Sequence, residues 1–225
     1  DLFFIDGEIS GSYYYYFPEP GNKKSFYYGK TIPVKGILEG NQVTLSEFTG
    51  EGSSFKGVLE NRNTIAGTWQ RRPSEKSISF NIAENYANGS LPFSCYTFSD
   101  KRNLNKKKVA EPNSPKASIE LVLLYPNLPK GNQLKDSLES LITRFLYIDT
   151  IPFKSPELLL ENIAFDFFDS YYQATDGIEN PEAAASFNWE KKVSMDICYN
   201  ERNIASLKID KYAYTGGAHG ILITQ

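Results

Sequence analysis

The chain has 225 residues, a formal net charge of −3 and a pI near 5.4, with charges of both signs mixed along its length. That pattern lacks the clustered basic stripe a nucleic-acid surface requires. No apolar run approaches the ~20 residues that carry a helix across a bilayer. Fifteen Tyr and fifteen Phe against one Met and two Trp favour β-structure, because aromatic side chains pack well on a pleated surface. Asp1 runs almost directly into apolar strand residues with no initiator Met, so we expect a processed or trimmed product.

Residues 1–98 alternate aromatic or β-branched runs with Gly/Asn turns and show no helical period. Ile9-Ser10-Gly11-Ser12-Tyr13 reappears as Ile65-Ala66-Gly67-Thr68-Trp69, and Lys35-Gly36-Ile37-Leu38-Glu39 as Lys56-Gly57-Val58-Leu59-Glu60. Short similar strands divided by turn signals predict an antiparallel β-meander or barrel. A Gly inside each strand fits a bend, or a place where two backbones come close. Pro18-Glu19-Pro20-Gly21-Asn22 reads as a rigid loop ending the run Tyr13-Tyr14-Tyr15-Tyr16. Alternate tyrosines of a strand face opposite sides. The row either stacks on sugars or peptides, or buries its rings with each hydroxyl partnered.

Residues 99–116 change character: Asp100-Lys101-Arg102, Lys106-Lys107-Lys108, Pro112 and Pro115 predict an exposed linker. The run Ser118–Tyr125 is nearly continuous apolar sequence and predicts a strand buried on both faces. Leu134, Leu138, Leu141, Ile142 and Phe145 share one face of a predicted helix. Ser155-Pro156-Glu157 reads as cap, first-turn proline and acidic first turn of a second helix carrying Leu159, Ile163, Phe167 and Tyr171. Asn180-Pro181-Glu182 repeats that entry signal for a short Ala-rich helix. Val193, Met195, Ile197 and Tyr199 alternate with polar residues, as do Ala205, Leu207 and Ile209, which predicts a hairpin with one face on a core. The fold class expected is therefore α+β: an all-β module (1–98), a linker (99–116), and a domain (117–225) with helices packed on an antiparallel sheet. Ile221-Leu222-Ile223 starts a strand five residues before Gln225, so further native sequence is expected beyond it.

Tyr212-Ala213-Tyr214-Thr215-Gly216-Gly217-Ala218-His219-Gly220 holds the chain's one histidine beside a Gly-Gly pair. Two glycines let the backbone turn sharply and aim successive N–H groups at one point. Tyr212 and Tyr214 lie on one strand face beside that turn. Tyr212, Tyr214, Thr215, Gly216, Gly217 and His219 are the candidate ligand-binding residues, the alternative being a purely structural turn. One His and two Cys supply no evident metal set, and neither a Gly-x-Ser-x-Gly elbow nor a phosphate loop is present. Asp166 and Asp169 read as the wet edge of their helix, although carboxylate pairs of a glycosidase type stay open. We expect no catalytic residue, metal or cofactor. Cys95 and Cys198 form either one disulfide or two free thiols, and free, buried thiols are expected.

The run Ile204-Ala205-Ser206-Leu207 followed by Tyr212–Gly220 resembles the PdaC/RsiV-like bacterial extracytoplasmic domain family, over about residues 116–225. The preceding Tyr125-Pro126 strand end, helices and long hairpin follow the same order. The family's domain accompanies certain peptidoglycan deacetylases and forms the outer part of a lysozyme-sensing anti-sigma factor. The β module is similar, on Ile9-x-Gly11-x-Tyr13 and Ile65-x-Gly67-x-Trp69 alone, to small modules that precede this domain in secreted lipoproteins. The resemblance implies an exported, lipid-anchored protein that binds a protein such as a lysozyme, or a cell-wall glycan. It does not carry deacetylase activity over, since that chemistry belongs to a separate metal-binding domain. The alternative it leaves is a cell-wall hydrolase or deacetylase-associated accessory domain using His219.

Overall fold

The computed structural model describes residues 2–5, 7–30, 32–48, 52–61, 63–86, 89–104, 115–146, 155–178, 187–216 and 220–224. The chain divides into two compact units, Asp1–Ser90 and Leu91–Gln225. Together they make an α+β protein, with an all-β first unit and a second unit in which two helices cover a sheet.

The first unit is a curled antiparallel sheet of seven strands: β1 (Leu2–Ile5), β2 (Glu8–Tyr13), β5 (Ile32–Glu39), β6 (Gln42–Glu47), β7 (Ser54–Glu60), β8 (Thr64–Gln70) and β9 (Ile78–Ala83). Neighbours in the sheet are neighbours in sequence except across β2 and β5. There a separate ribbon intervenes, β3 (Tyr16–Glu19) with β4 (Asn22–Tyr28). The stretch read as a rigid loop is thus the tip of that ribbon. Pro20 sets one central residue of the turn and Gly21, at φ 83°, supplies the other. One face of the large sheet carries the core: Ile9, Val43, Leu45 and Ile65 are buried, with Leu2, Leu38, Phe55, Leu59 and Phe80 packed against them. The two sequence repeats occupy equivalent places, Ile9 of β2 and Ile65 of β8 both pointing into this cluster.

The second unit is a five-stranded sheet in the order β10-β11-β12-β13-β14, built from Phe93–Asn103, Lys116–Pro126, Trp189–Glu201, Ile204–Tyr214 and Ile221–Thr224. Its ladders are antiparallel except β11 with β12, which is parallel. Two parallel neighbours need a long crossover, and helices α1 (Gln133–Leu146) and α2 (Pro156–Ala174) lie within it. The division of the chain also differs from the sequence expectation. Residues 93–103 are hydrogen-bonded along their whole length to β11, so they belong to the second unit, and Ser99–Asn103 is strand. Two of the charges there that suggested a linker are paired: Arg102 binds Asp100 at 2.8 Å, and its guanidinium lies 4.0 Å above the Phe168 ring of α2. Residues 105–114 lie outside the described residues, as does the Ala-rich helix expected after Asn180.

Helix α2 begins as its sequence predicts. Ser155 is extended, its hydroxyl accepts from the Leu158 N–H, and Pro156 takes the first turn. Leu159, Leu160, Ile163, Phe167, Phe168 and Tyr171 are buried where α2 packs on β10 and β11, and Ala117, Ile119, Leu121 and Leu123 of β11 and Val193, Met195 and Ile197 of β12 are buried as well. Trp189 stands against Phe167 and Tyr171. Three expectations are corrected here. Strand β11 is not apolar on both faces throughout, since Glu120 is exposed between buried Ile119 and Leu121, and two-sided burial begins only at Leu123–Leu124. Helix α1 forms, entered by Asn132 accepting from the Leu134 and Lys135 amides, yet only Ile142 of its apolar stripe is buried. The hairpin β12–β13 closes on Arg202 and Asn203 at φ 57° and 61°, but a bulge between Ile197 and Tyr199 breaks the alternation before Tyr199.

Candidate recognition site

Cross-strand partners share a sheet face. The pairs Glu190↔Tyr214, Lys192↔Tyr212, Ser194↔Asp210 and Asp196↔Lys208 therefore put one row of charges and two tyrosines on a single face of β12 and β13. The helices cover the other face, where Lys211 donates to the Phe145 carbonyl at the end of α1. Tyr212 and Tyr214 thus stand on the helix-free side, both half-buried, beside the end of β13 that leads into the Gly-rich turn. The sequence reading placed these two on one face. It missed Glu190 and Lys192, which the alternation with Val193 and Met195 could have located.

The electrostatics of that face are those of a wet, paired surface. Lys192 holds Glu190 at 2.9 Å and Glu120 at 3.7 Å, and these carboxylates raise its affinity for a proton. Asp210 accepts from Lys208 at 2.5 Å and from the Thr224 hydroxyl at 2.6 Å, which together hold its carboxyl below the usual range. Burial pushes Asp196 the opposite way. Cys95 does not resemble an activated nucleophile: burial pushes its thiol up to about 11, so it is protonated at neutral pH. Both cysteines are free, but Cys95 is only half-buried and Cys198 is exposed, which corrects the expected burial.

The turn itself is partly described. Thr215 is exposed, and Gly216 adopts φ 92°, a conformation L side chains rarely take. Gly220 lies flat against the Tyr212 ring. A β-carbon there would sit 2.7 Å from a ring carbon and 2.8 Å from the hydroxyl oxygen, so Tyr212 and Gly220 clasp the two ends of the loop. Gly217, Ala218 and His219 lie outside the described residues. The structure accordingly brings Tyr212, Tyr214, Thr215 and Gly216 together and gives no position for His219. Asp166 and Asp169 are exposed, Asp169 accepting from Gln173 at 2.6 Å one turn on. Among the described residues no three His, Cys, Asp or Glu side chains are grouped as metal ligands, and no helix is long and apolar enough to cross a membrane.

Residues 113–222 match the family model described as deacetylase PdaC. Among solved structures, the chain is similar to a member of the DUF3298 family from Bacteroides fragilis NCTC 9343. The TM-score is 0.54 at 21% identity, over 61% of this chain and 55% of that one, a likeness of fold. The chain thus spans about half the length of that neighbour. No curated protein matches it.

Proposed function

We propose that the second unit is an extracytoplasmic, cell-wall-associated domain of the PdaC/RsiV-like type, and that the protein is a non-catalytic binding or sensing component of a bacterial cell envelope; the match of residues 113–222 to the deacetylase PdaC family model supports this reading. The ligand is a protein such as a lysozyme, or a cell-wall glycan. The contacts come from Tyr212, Tyr214, Thr215, Gly216, Gly217 and His219, and the chain is held at the membrane by a lipid anchor or segment outside it.

The observation that carries this reading is the pair of tyrosines on the helix-free face, framed by Lys192 and Glu190 and next to the Gly-rich turn. Tyrosine combines a large ring with a polar tip and few rotatable bonds, so it contributes contact area at low entropic cost. Paired charges around it form a polar rim that selects partners more than it strengthens binding.

The reading is tested by titrating the protein with hen egg-white lysozyme and, separately, with soluble peptidoglycan fragments. Tyr214→Ala and His219→Ala should each weaken binding of the true ligand by about tenfold or more, equivalent to ~1.4 kcal/mol, with the unfolding midpoint nearly unchanged. Binding that survives both changes contradicts it. Mass spectrometry of the glycan arm covers the enzymatic alternative: cleaved or deacetylated products that vanish in His219→Ala would replace this reading with a hydrolase or deacetylase-type one.

A further inference from the structure

The first unit carries a cleft that the reading above does not use. It has a volume of about 400 Å³ and is lined by Tyr13, Tyr15, Ile32, Glu47, Ser53, Trp69 and Arg71. These residues come from the end of β2, the start of β5, the end of β6 and the end of β8, so rigid strands of one sheet hold most of the walls. Sites of ~300–1,000 Å³ with aromatic walls and a few convergent polar groups are the usual dimensions of small-ligand pockets.

The rings are fixed in an unusual arrangement. Tyr13 meets Tyr15 edge-on at 80° and Phe55 edge-on at 81°, and Phe55 continues to Trp69 and Phe80 in the core. Tyr13 is therefore anchored from below while Tyr15, at 47% exposed, forms the outer wall. Perpendicular walls make a corner, whereas a flat heteroaromatic ligand needs two parallel faces to be sandwiched. A corner suits a puckered ring that presents C–H groups on its faces and hydroxyls on its edge.

The polar groups match such an edge. The Tyr13 hydroxyl donates to Glu47 Oε1 at 2.5 Å. Burial first, then that carboxylate, keep the phenol protonated far above its ordinary range. Glu47 is thereby oriented through Oε1, and its second oxygen, which has no hydrogen-bond partner among the described residues, can accept from a ligand. Arg71 stands on the same cleft as a donor of opposite charge, so the formal charges cancel and an uncharged ligand is favoured over an anion. The buried Trp69 Nε1 has no hydrogen-bond partner among the described residues. A buried donor of this kind is costly unless something accepts from it, and a small turn of the indole toward the cleft would offer it a ligand hydroxyl.

We propose that this cleft is a binding site for an uncharged saccharide of one or two sugar rings, with Tyr13, Tyr15 and Trp69 as stacking walls and Glu47 and Arg71 reading hydroxyls. It rests on residues of the first unit alone, so it stands or falls separately from the recognition turn of the second.

The test is NMR on the full chain, with the Trp69 indole resonance assigned through Trp69→Phe. Cellobiose, maltose and diacetylchitobiose are each added to about 10 mM, enough to reveal millimolar affinity. At least one should move the Trp69 indole signal in a saturable way. Glu47→Gln and Tyr15→Ala should each weaken that binding by about tenfold or more, with thermal unfolding of Glu47→Gln close to that of the parent. The proposal is overturned if no sugar moves the signal, if only the Trp189 indole responds, or if Glu47→Gln binds as the parent does. The Glu47 variant decides the matter by itself should Tyr15→Ala fail to fold.

Discussion

Gly57 and Gly67 face each other across β7 and β8, and their pairing explains a feature the repeats only hinted at. A β-carbon on Gly67 would lie 2.1 Å from the Lys56 carbonyl oxygen and 2.5 Å from the Gly57 α-carbon. One on Gly36 would lie 1.8 Å from the Thr44 carbonyl oxygen. These glycines let neighbouring strands approach where the sheet curls, as their position inside strands suggested. Gly67→Ala should therefore cost about 3 kcal/mol in urea unfolding, at the upper end for overpacking. Gly40→Ala, where φ is 64° and the surroundings are open, should cost nearer ~1 kcal/mol from backbone strain alone. Equal, small costs at both would remove the close-approach explanation.

Lys191 makes the second residue-scale case. It lies on the helix-covered face of β12, where burial and the ammonium of Lys211 lower its proton affinity more than Asp166 restores it. A lysine held below its unfolded value penalises the folded state at every pH below both values, where it must carry its charge. Between the folded and unfolded values the unfolded chain binds more protons, so stability rises with pH through that window. Lys191→Met should thus raise the melting temperature at pH 7, with a gain that shrinks as the pH climbs towards 10.5, the ordinary lysine value. A variant that melts lower than the parent at pH 7 would mean that the ammonium is a net stabiliser.

At the scale of elements, helix α2 was the most legible part of the chain. Ser155, Pro156 and Glu157 announce its start, and Leu159, Ile163, Phe167 and Tyr171 mark its buried face. Ser155→Ala, which removes the acceptor for the Leu158 amide, should destabilise the protein by about 1 kcal/mol by chemical denaturation. Helix α1 shows what periodicity leaves undetermined. Its stripe is as regular, but Leu134, Leu141 and Phe145 are 47%, 48% and 42% exposed. A hydrophobic pattern reports the face a helix offers, and only the neighbouring elements decide how much of it is covered. The bulge at Cys198 was illegible for a related reason. Ile197 and Tyr199 keep the two-residue spacing in sequence, while the extra residue is visible only in the register against β13.

Across the whole molecule, the fold class was readable because the period of the hydrophobic pattern changes from two to 3.6 after β11. The boundary between units was less so. Asp100-Lys101-Arg102 has the composition of a connector, and only the contact of Arg102 with Phe168 explains why such charged residues continue a strand. The parallel ladder between β11 and β12 joins residues some seventy positions apart, a pairing no local pattern encodes. Of the proposed site, the sequence marked the tyrosines and the glycines, while the charged frame of Glu190 and Lys192 needed the register of β12 with β13.

The central claim, that the second unit recognises its ligand through the turn after β13, is tested most directly by hydrogen–deuterium exchange. The full chain would be compared alone, with hen egg-white lysozyme, and with soluble peptidoglycan fragments. The account predicts that one ligand slows exchange in peptides covering residues 212–220 and the facing start of β12. Slowed exchange confined to the outer face of α1, or none with either ligand, would contradict it.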